Sequence, residues 1–401
     1  MTATTWQPLL RCGAASPFGL ALPSAQPTAS QLYAPRGVWF NDDLLIVADS
    51  GNHRVLIWHG LPNVSGTDAD VVLGQPDFQS EGPAAGGRSR ANGLHLPTGV
   101  LVHDGKLIVA DAWHHRLLVW NEIPTRNYEP PSYAIGQPTL EEVSPNGGSD
   151  IDGNALYWPY GMGVTGSMFW IADTGNRRVL GWEGLPEPGD YAAVVLGQDD
   201  ARRGDENRGI GPSARSFRWP HAIAGDADTL FVADAGNHRI LGWTPIPEED
   251  RHADLLLGQA GFERNEELPH RPQGAHRMRF PYAIAQDAGR LVVADTANNR
   301  VLTWDGVPRV GVQRPADGVL GQLNFDAAGE NRWKSVADDT LCWPYGLWLH
   351  GNRLAIADSG NNRMMLWEIP GWRGADPEAY AHDTPQDASQ AEPDYVSRSP
   401  R

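Results

Sequence analysis

Three observations predict an all-β fold, a six-bladed β-propeller of four-stranded antiparallel blades. The stretch ADSGNHRVLIW, from Ala48 to Trp58, occurs six times, with later copies starting at Ala110, Ala172, Ala233, Ala294 and Ala357. Its aspartates, Asp49, Asp111, Asp173, Asp234, Asp295 and Asp358, follow one another at 62, 62, 61, 61 and 63 residues. A proline stands 14 residues before each of them: Pro35, Pro97, Pro159, Pro220, Pro281 and Pro344. Such regularity means one supersecondary unit used six times, each burying its apolar face against its neighbours.

Each repeat parses into four short strands in order. After the proline comes an apolar run such as GVWF (37–40) or GVLV (99–102). A polar turn leads to LLIVAD, KLIVAD, MFWIAD, TLFVAD, RLVVAD or RLAIAD, and an S-G-N type turn leads on to RVLIW and its equivalents. A W-x-x-[LIV]-P segment then precedes the fourth run, which ends at Gln75, Gln137, Gln198, Gln259 and Gln322. The runs are β-branched and aromatic and are bounded by Gly, Pro, Asn and Asp, the composition of strands and turns. No sustained helical period interrupts them, and repeated four-stranded units leave only short strand edges when arranged radially.

The sixth unit lacks a GQ strand of its own. PLLRC, from Pro8 to Cys12, has the look of the missing one, so the N-terminal strand is expected to complete the last blade and close the ring. The predicted organisation is one propeller over 1–370, with blade cores near 33–78, 95–140, 157–200, 218–262, 279–325 and 342–370 plus 8–12. Residues 371–401 are acidic, Pro-rich and aperiodic, and are expected to form a disordered tail.

Composition excludes some function classes. A net charge of −17 opposes a phosphate-binding surface, which needs clustered Lys and Arg, so no nucleic-acid partner is expected. No apolar run approaches the roughly 20 residues that span a bilayer, so no membrane insertion is expected. Two cysteines and an N-terminus without a basic segment followed by an apolar core point to a cytoplasmic location. Motifs for phosphate loops, dinucleotide binding, zinc-protease helices and nucleophile elbows are absent.

The pattern P-x-G-[IV]-x-[IV] followed by [IV]-A-D-[ST]-G-N-x-R-[IVL] resembles the NHL repeat, whose name matches Asn52-His53-Arg54-Val55-Leu56. Asn237-His238-Arg239-Ile240-Leu241 is similar, whereas Trp113-His114-His115 departs from the turn and Thr296-Ala297-Asn298 drops its glycine. The resemblance covers all six units. It implies a protein-interaction platform, an RNA-binding surface, a metal-using lyase or hydrolase, or an accessory protein of a metalloenzyme such as a hydrogenase; fold does not choose among these.

Residues repeated in every blade are expected to be structural: Asp49, Asp111, Asp173, Asp234, Asp295 and Asp358 accept backbone N–H groups of the following turn, and Arg54, Arg116, Arg178, Arg239, Arg300 and Arg363 bridge to carbonyls or carboxylates of the adjoining blade. Function is expected where blades differ. In similar propellers the residues around the proline open onto the central channel. Here they include Arg36, Tyr157, Trp158, Tyr160, Arg218, Trp219, His221, Arg279, Phe280, Tyr282, Trp343 and Tyr345, an aromatic mouth suited to a partner or ligand. The competing reading is that the same aromatics wedge between blades as packing.

The leading expectation is a non-catalytic scaffold binding a partner protein on the loop-bearing face, with Arg218, Arg279 and His221 as polar anchors. No cofactor is predicted. A lyase or hydrolase using a divalent metal or a cysteine is the alternative, and RNA binding the weaker one. Related lyases carry three axial P-H histidines, of which this chain has only Pro220-His221. Cys12 and Cys342 are expected in the same blade, as a candidate soft-metal or redox pair. Asp150-Ile151-Asp152-Gly153-Asn154 begins like a calcium loop but lacks its bidentate Glu, with Gly161 at the twelfth position. Oligomeric state is not legible in the sequence.

Overall fold

The computed structural model describes residues 6–13, 22–23 and 25–370; the tail expected over 371–401 lies outside the described residues. Six antiparallel sheets are present. Blade 1 is built, inner strand first, from Gly37–Phe40, Leu44–Asp49, Arg54–His59 and Val71–Leu73. Blades 2 to 5 repeat this order, with inner strands Gly99–His103, Pro159–Thr165, Pro220–Gly225 and Pro281–Asp287. Blade 6 runs Pro344–His350, Arg353–Asp358, Arg363–Glu368, and then Gln7–Gly13 from the other end of the chain. The N-terminal strand therefore closes the ring, with Cys12 opposite Met364 and Pro8 opposite Trp367.

One blade departs from the four-strand expectation. Gly311–Val312, in the connection between the third and fourth strands of blade 5, pairs parallel with Leu255–Leu257 and adds a fifth strand to blade 4. Sequence gave no periodic signal for it, because the added strand is two residues long and exposed.

The strands are continuous apolar runs for a packing reason. Every residue of Leu44–Asp49 is buried, since each blade is sandwiched between two neighbours and has no solvated face. Apolar layers accordingly form between blades. Trp170 and Ala172 of blade 3 pack with Ile223, Val232 and Leu241 of blade 4, while Leu10, Cys12 and Leu366 of blade 6 pack with Val38, Leu45 and Val47 of blade 1.

Two polar devices position the upper face. In the first, Asp49 Oδ1 accepts the Tyr33 N–H at 2.6 Å, while Oδ2 accepts Asn52 Nδ2 at 2.8 Å and Arg54 Nε at 2.7 Å. Arg54 spends its other donors on the carbonyls of Phe78, Thr28 and Gln31, pinning two connections to the blade. All six Asp–Arg pairs are buried in this way.

The second device joins one blade to the next. The turn after each second strand ends in a left-handed residue, and five of the six accept a backbone N–H from the following blade. His53 accepts from Leu96, His115 from Trp158, His238 from Phe280, Asn299 from Trp343 and Asn362 from Ala34, at 2.9–3.2 Å. Those five pre-proline residues have φ between 46° and 51°. At the junction of blades 3 and 4 the left-handed residue is Arg177, which can only donate. Its partner position, Trp219, is not among the residues with positive φ.

Candidate functional site

The inner strands set the mouth of the channel in layers. Gly37, Gly99, Gly161 and Gly346 sit where neighbouring inner strands touch; a Cβ on Gly346 would lie 2.2 Å from the Arg36 carbonyl oxygen. This close approach draws the residues just after the prolines into one ring. Below it, Val38, Val100, Met162, Ile223, Ile284 and Leu347 line the channel with apolar side chains.

The ring itself holds Arg36, Thr98, Tyr160, His221, Tyr282 and Tyr345, one from each blade, around a cavity of about 80 Å³. Four aromatic rings form a continuous arc: Tyr160 to His221 at 4.4 Å, His221 to Tyr282 at 4.4 Å and nearly parallel, and Tyr282 to Tyr345 at 4.8 Å. Arg36 closes the circle. Its guanidinium lies 5.1 Å from the centre of the Tyr345 ring, and Nη1 donates to the Tyr160 hydroxyl at 3.4 Å. Reaching from blade 1 to blade 3 means passing the blade 2 position, which holds the small Thr98; that hydroxyl is turned away, donating to the Tyr160 carbonyl at 2.9 Å.

Electrostatics in the ring follow from burial. His221 is 9% exposed, and burial pushes its imidazole down to about 4, so it is neutral at pH 7. Its Nδ1 lies 2.9 Å from the Trp219 carbonyl, which makes Nδ1 the protonated nitrogen and Nε2 the acceptor. Burial also raises Tyr160, Tyr282 and Tyr345, keeping their hydroxyls protonated, with Arg36 opposing that rise.

The other residues singled out lie further from the axis. Trp158 stacks on Tyr157 at 4.7 Å and meets His115; Trp219 faces Phe280 at 6.2 Å, and Phe280 contacts His238 at 4.4 Å. These aromatics do pack at blade junctions, as the packing reading holds, yet they also rim the upper face. Trp343 is 37% exposed, with its indole N–H donating to Glu330. Arg218 and Arg279, expected as anchors, each carry an ion pair on this surface, Arg218 with Glu206 at 3.1 Å and Arg279 with Glu267 at 2.7 Å.

Two residues escaped sequence reasoning. Trp113, which replaces the turn glycine in blade 2, packs against Trp158 at 5.6 Å and Tyr160 at 5.9 Å, and covers Arg36 at 5.7 Å. The broken repeat was the available signal. Trp333, in the connection before blade 6, is 82% exposed and lines a depression with Trp343 and Arg279; no periodicity marks it.

The proposed cysteine pair does not form. Both thiols are free and buried. Cys12 lies on the outermost strand of blade 6, in line with Met364, Ala357 and Gly346, while Cys342 precedes the innermost strand. Three strand spacings, roughly 14 Å, therefore separate their positions. Burial pushes both thiols up to about 12, which keeps them unreactive near neutrality. Among the described residues no group of three or more His, Cys, Asp or Glu is arranged to hold a metal ion. At the calcium-like segment, Asp152 instead accepts hydrogen bonds from the Asn154 N–H and the Tyr191 hydroxyl.

Comparison with known proteins adds one curated likeness. No family model matches the sequence. A curated human protein, NHL repeat-containing protein 2, is 24% identical over 302 residues, which are 68% of this chain and 39% of the relative's own length. Among solved structures, a structural genomics protein of unknown function from Bacteroides thetaiotaomicron aligns over 90% of this chain and 75% of its own, at 11% identity and a TM-score of 0.44. Raptor from Chaetomium thermophilum aligns over 88% of this chain and 29% of its own, at 11% identity and a TM-score of 0.43. Six copies of the repeat in six radial blades give this chain the architecture of a six-bladed β-propeller, and its sequence is similar to that of the NHL repeat-containing relative.

Proposed function

We propose that the chain is a non-catalytic scaffold that binds a partner protein on its loop-bearing face, over the mouth of the channel. The observation that carries this reading is the mouth itself. Six otherwise repetitive blades bring an arginine, a threonine, a histidine and three tyrosines together there, four of them an aromatic arc that Arg36 closes, and exposed Trp333 and Trp343 line a separate depression. Large aromatics supply most of the energy in protein interfaces, and an unrepeated set in a repeated fold is what a specific partner needs. NHL propellers commonly serve protein interaction. The resemblance extends the proposal to a metalloenzyme or its assembly apparatus as the partner.

A metal-dependent lyase or hydrolase fits the donor set poorly, because the ring offers one imidazole among an arginine, a threonine and three tyrosines. Affinity capture of the tagged protein from its host, quantified by mass spectrometry, tests the scaffold. A near-stoichiometric partner that is lost from a Trp333→Ala/Trp343→Ala variant, with its melting temperature unchanged, is the expected outcome, and the partner's identity tests the metalloenzyme extension. Equal capture by both proteins removes the upper face from the interface.

A further inference from the structure

We propose that Arg36 is the receptor for a single carboxylate, presented by the partner protein on an acidic side chain or chain terminus. This rests on the scaffold reading above and names the chemistry by which that partner is recognised.

Charge pairing is the first argument. The upper-face arginines Arg218, Arg279 and Arg332 each face a carboxylate, from Glu206, Glu267 and Asp339. The six repeated arginines are likewise matched by their aspartates. Among the described residues Arg36 forms no ion pair, and no Asp or Glu lines its cavity. What sets Arg36 apart is its place: its guanidinium is held at the axis among aromatic rings with no anion beside it, in a chain of net charge −17. Its positive charge costs desolvation that an incoming anion would offset.

Geometry then narrows the ligand. Trp113 and Tyr345 pack near the guanidinium, and Nη1 is turned to Tyr160. A guanidinium carries five N–H donors in one plane, so donors remain for a planar acceptor approaching edge-on, the arrangement that suits a carboxylate. Arg36 is the one cation in the lining, which matches one negative charge and not a phosphate dianion. The cavity, about 80 Å³, admits a carboxylate and the carbons next to it, not a drug-sized molecule, so the rest of the ligand must lie outside on the aromatic face. Protonated tyrosine hydroxyls around the ring supply further donors.

The test has two arms on the full-length protein. In the first, propanoate is the probe, as an analogue of an acidic side chain, with propanamide as its neutral counterpart; binding is read by ligand-observed NMR. Wild type is expected to bind propanoate at least tenfold more tightly than propanamide. Arg36→Met should lose that preference, and Arg36→Lys, which keeps charge without the planar fork, should retain only part of it. Circular dichroism and melting temperature establish that both variants fold. Equal binding of the two probes, or an unchanged preference in Arg36→Met, overturns the proposal.

In the second arm the captured partner is compared between wild type and Arg36→Met. At least a tenfold loss of partner affinity, reproduced in wild type by competing propanoate, supports a carboxylate borne by the partner. Full partner affinity in Arg36→Met, with propanoate binding lost, overturns that source and assigns the site to a free acid. Should no partner be captured at all, the scaffold reading fails and the partner-borne carboxylate fails with it, while the first arm still decides whether Arg36 is an anion receptor.

Discussion

Two sets of arginines, carried by the same blades, behave in opposite ways. Arg54 and its five equivalents are buried, paired with aspartate, and saturated by carbonyls of the neighbouring connections. Arg36 sits at the axis, against aromatic rings, with no carboxylate beside it. The first set is identical in every blade because it solves a problem every blade has, namely how to tie long connections to short strands. The second occurs once, where five other blades place Thr, Tyr, His, Tyr and Tyr. Repetition in this molecule marks architecture, and the axis is where the blades depart from it.

The largest expected effect comes from breaking the repeated set. Asp173→Ala leaves Arg178 buried without its partner, and unfolding experiments in urea should show a loss of about 3–5 kcal/mol. A loss below about 1 kcal/mol would mean that water reaches this belt.

The blade-to-blade acceptors sharpen the comparison through pH. His53, His115 and His238 each accept a backbone N–H through Nδ1, which requires a neutral ring. Burial pushes His53 and His115 down to about 4, and lowers His238 as well. The unfolded chain takes up these protons near pH 6.5. Folded-state values below that mean full stabilisation above pH 6.5, lost progressively as the pH falls towards 4. Asn299 and Asn362 do the same work without titrating. The triple variant His53→Asn/His115→Asn/His238→Asn should therefore keep its stability at pH 7.5 and lose less of it at pH 5 than wild type does. Parallel urea titrations at both values would reveal an unchanged acid slope if the histidines are not responsible.

A smaller effect is expected from Asn362→Ala, which removes the acceptor for the Ala34 N–H at the closing junction between blades 6 and 1. The cost should be about 1 kcal/mol, read as a lowered urea midpoint. Smallest of all is the effect of Arg36→Met on stability. With no ion pair to break, it should shift the unfolding free energy by no more than about 0.5 kcal/mol. A loss as large as that of Asp173→Ala would make Arg36 another structural arginine and erase the contrast between the two sets.

Much of the fold was legible in the chain because repetition multiplies a weak signal. Any one LLIVAD run is an ambiguous apolar stretch; six at a constant interval, each followed by the same turn, specify a blade. Ring closure was legible from Pro8–Cys12, since a missing fourth strand and an orphan strand at the other end imply each other. The mouth was legible in part. The prolines gave the register that brings Arg36, Tyr160, His221, Tyr282 and Tyr345 together. Gly311–Val312 was not legible, because so short and exposed a strand has neither period nor apolar signal.

The sequence by itself determined the number of blades, the order of strands in each, the structural recurrence of Asp and Arg in every blade and the identity of the residues around the axis. All of these follow from local pattern repeated at a fixed interval. Only the tertiary structure decided what those axial residues do. It brought Glu206 to Arg218 and Glu267 to Arg279, giving two expected anchors an ion pair each. It held Cys12 and Cys342 on opposite edges of one blade, and it laid Trp113 over Arg36. Pairing between groups distant in sequence depends on where side chains meet across a junction, which no periodicity encodes. Which of these charges are neutralised is settled by that meeting.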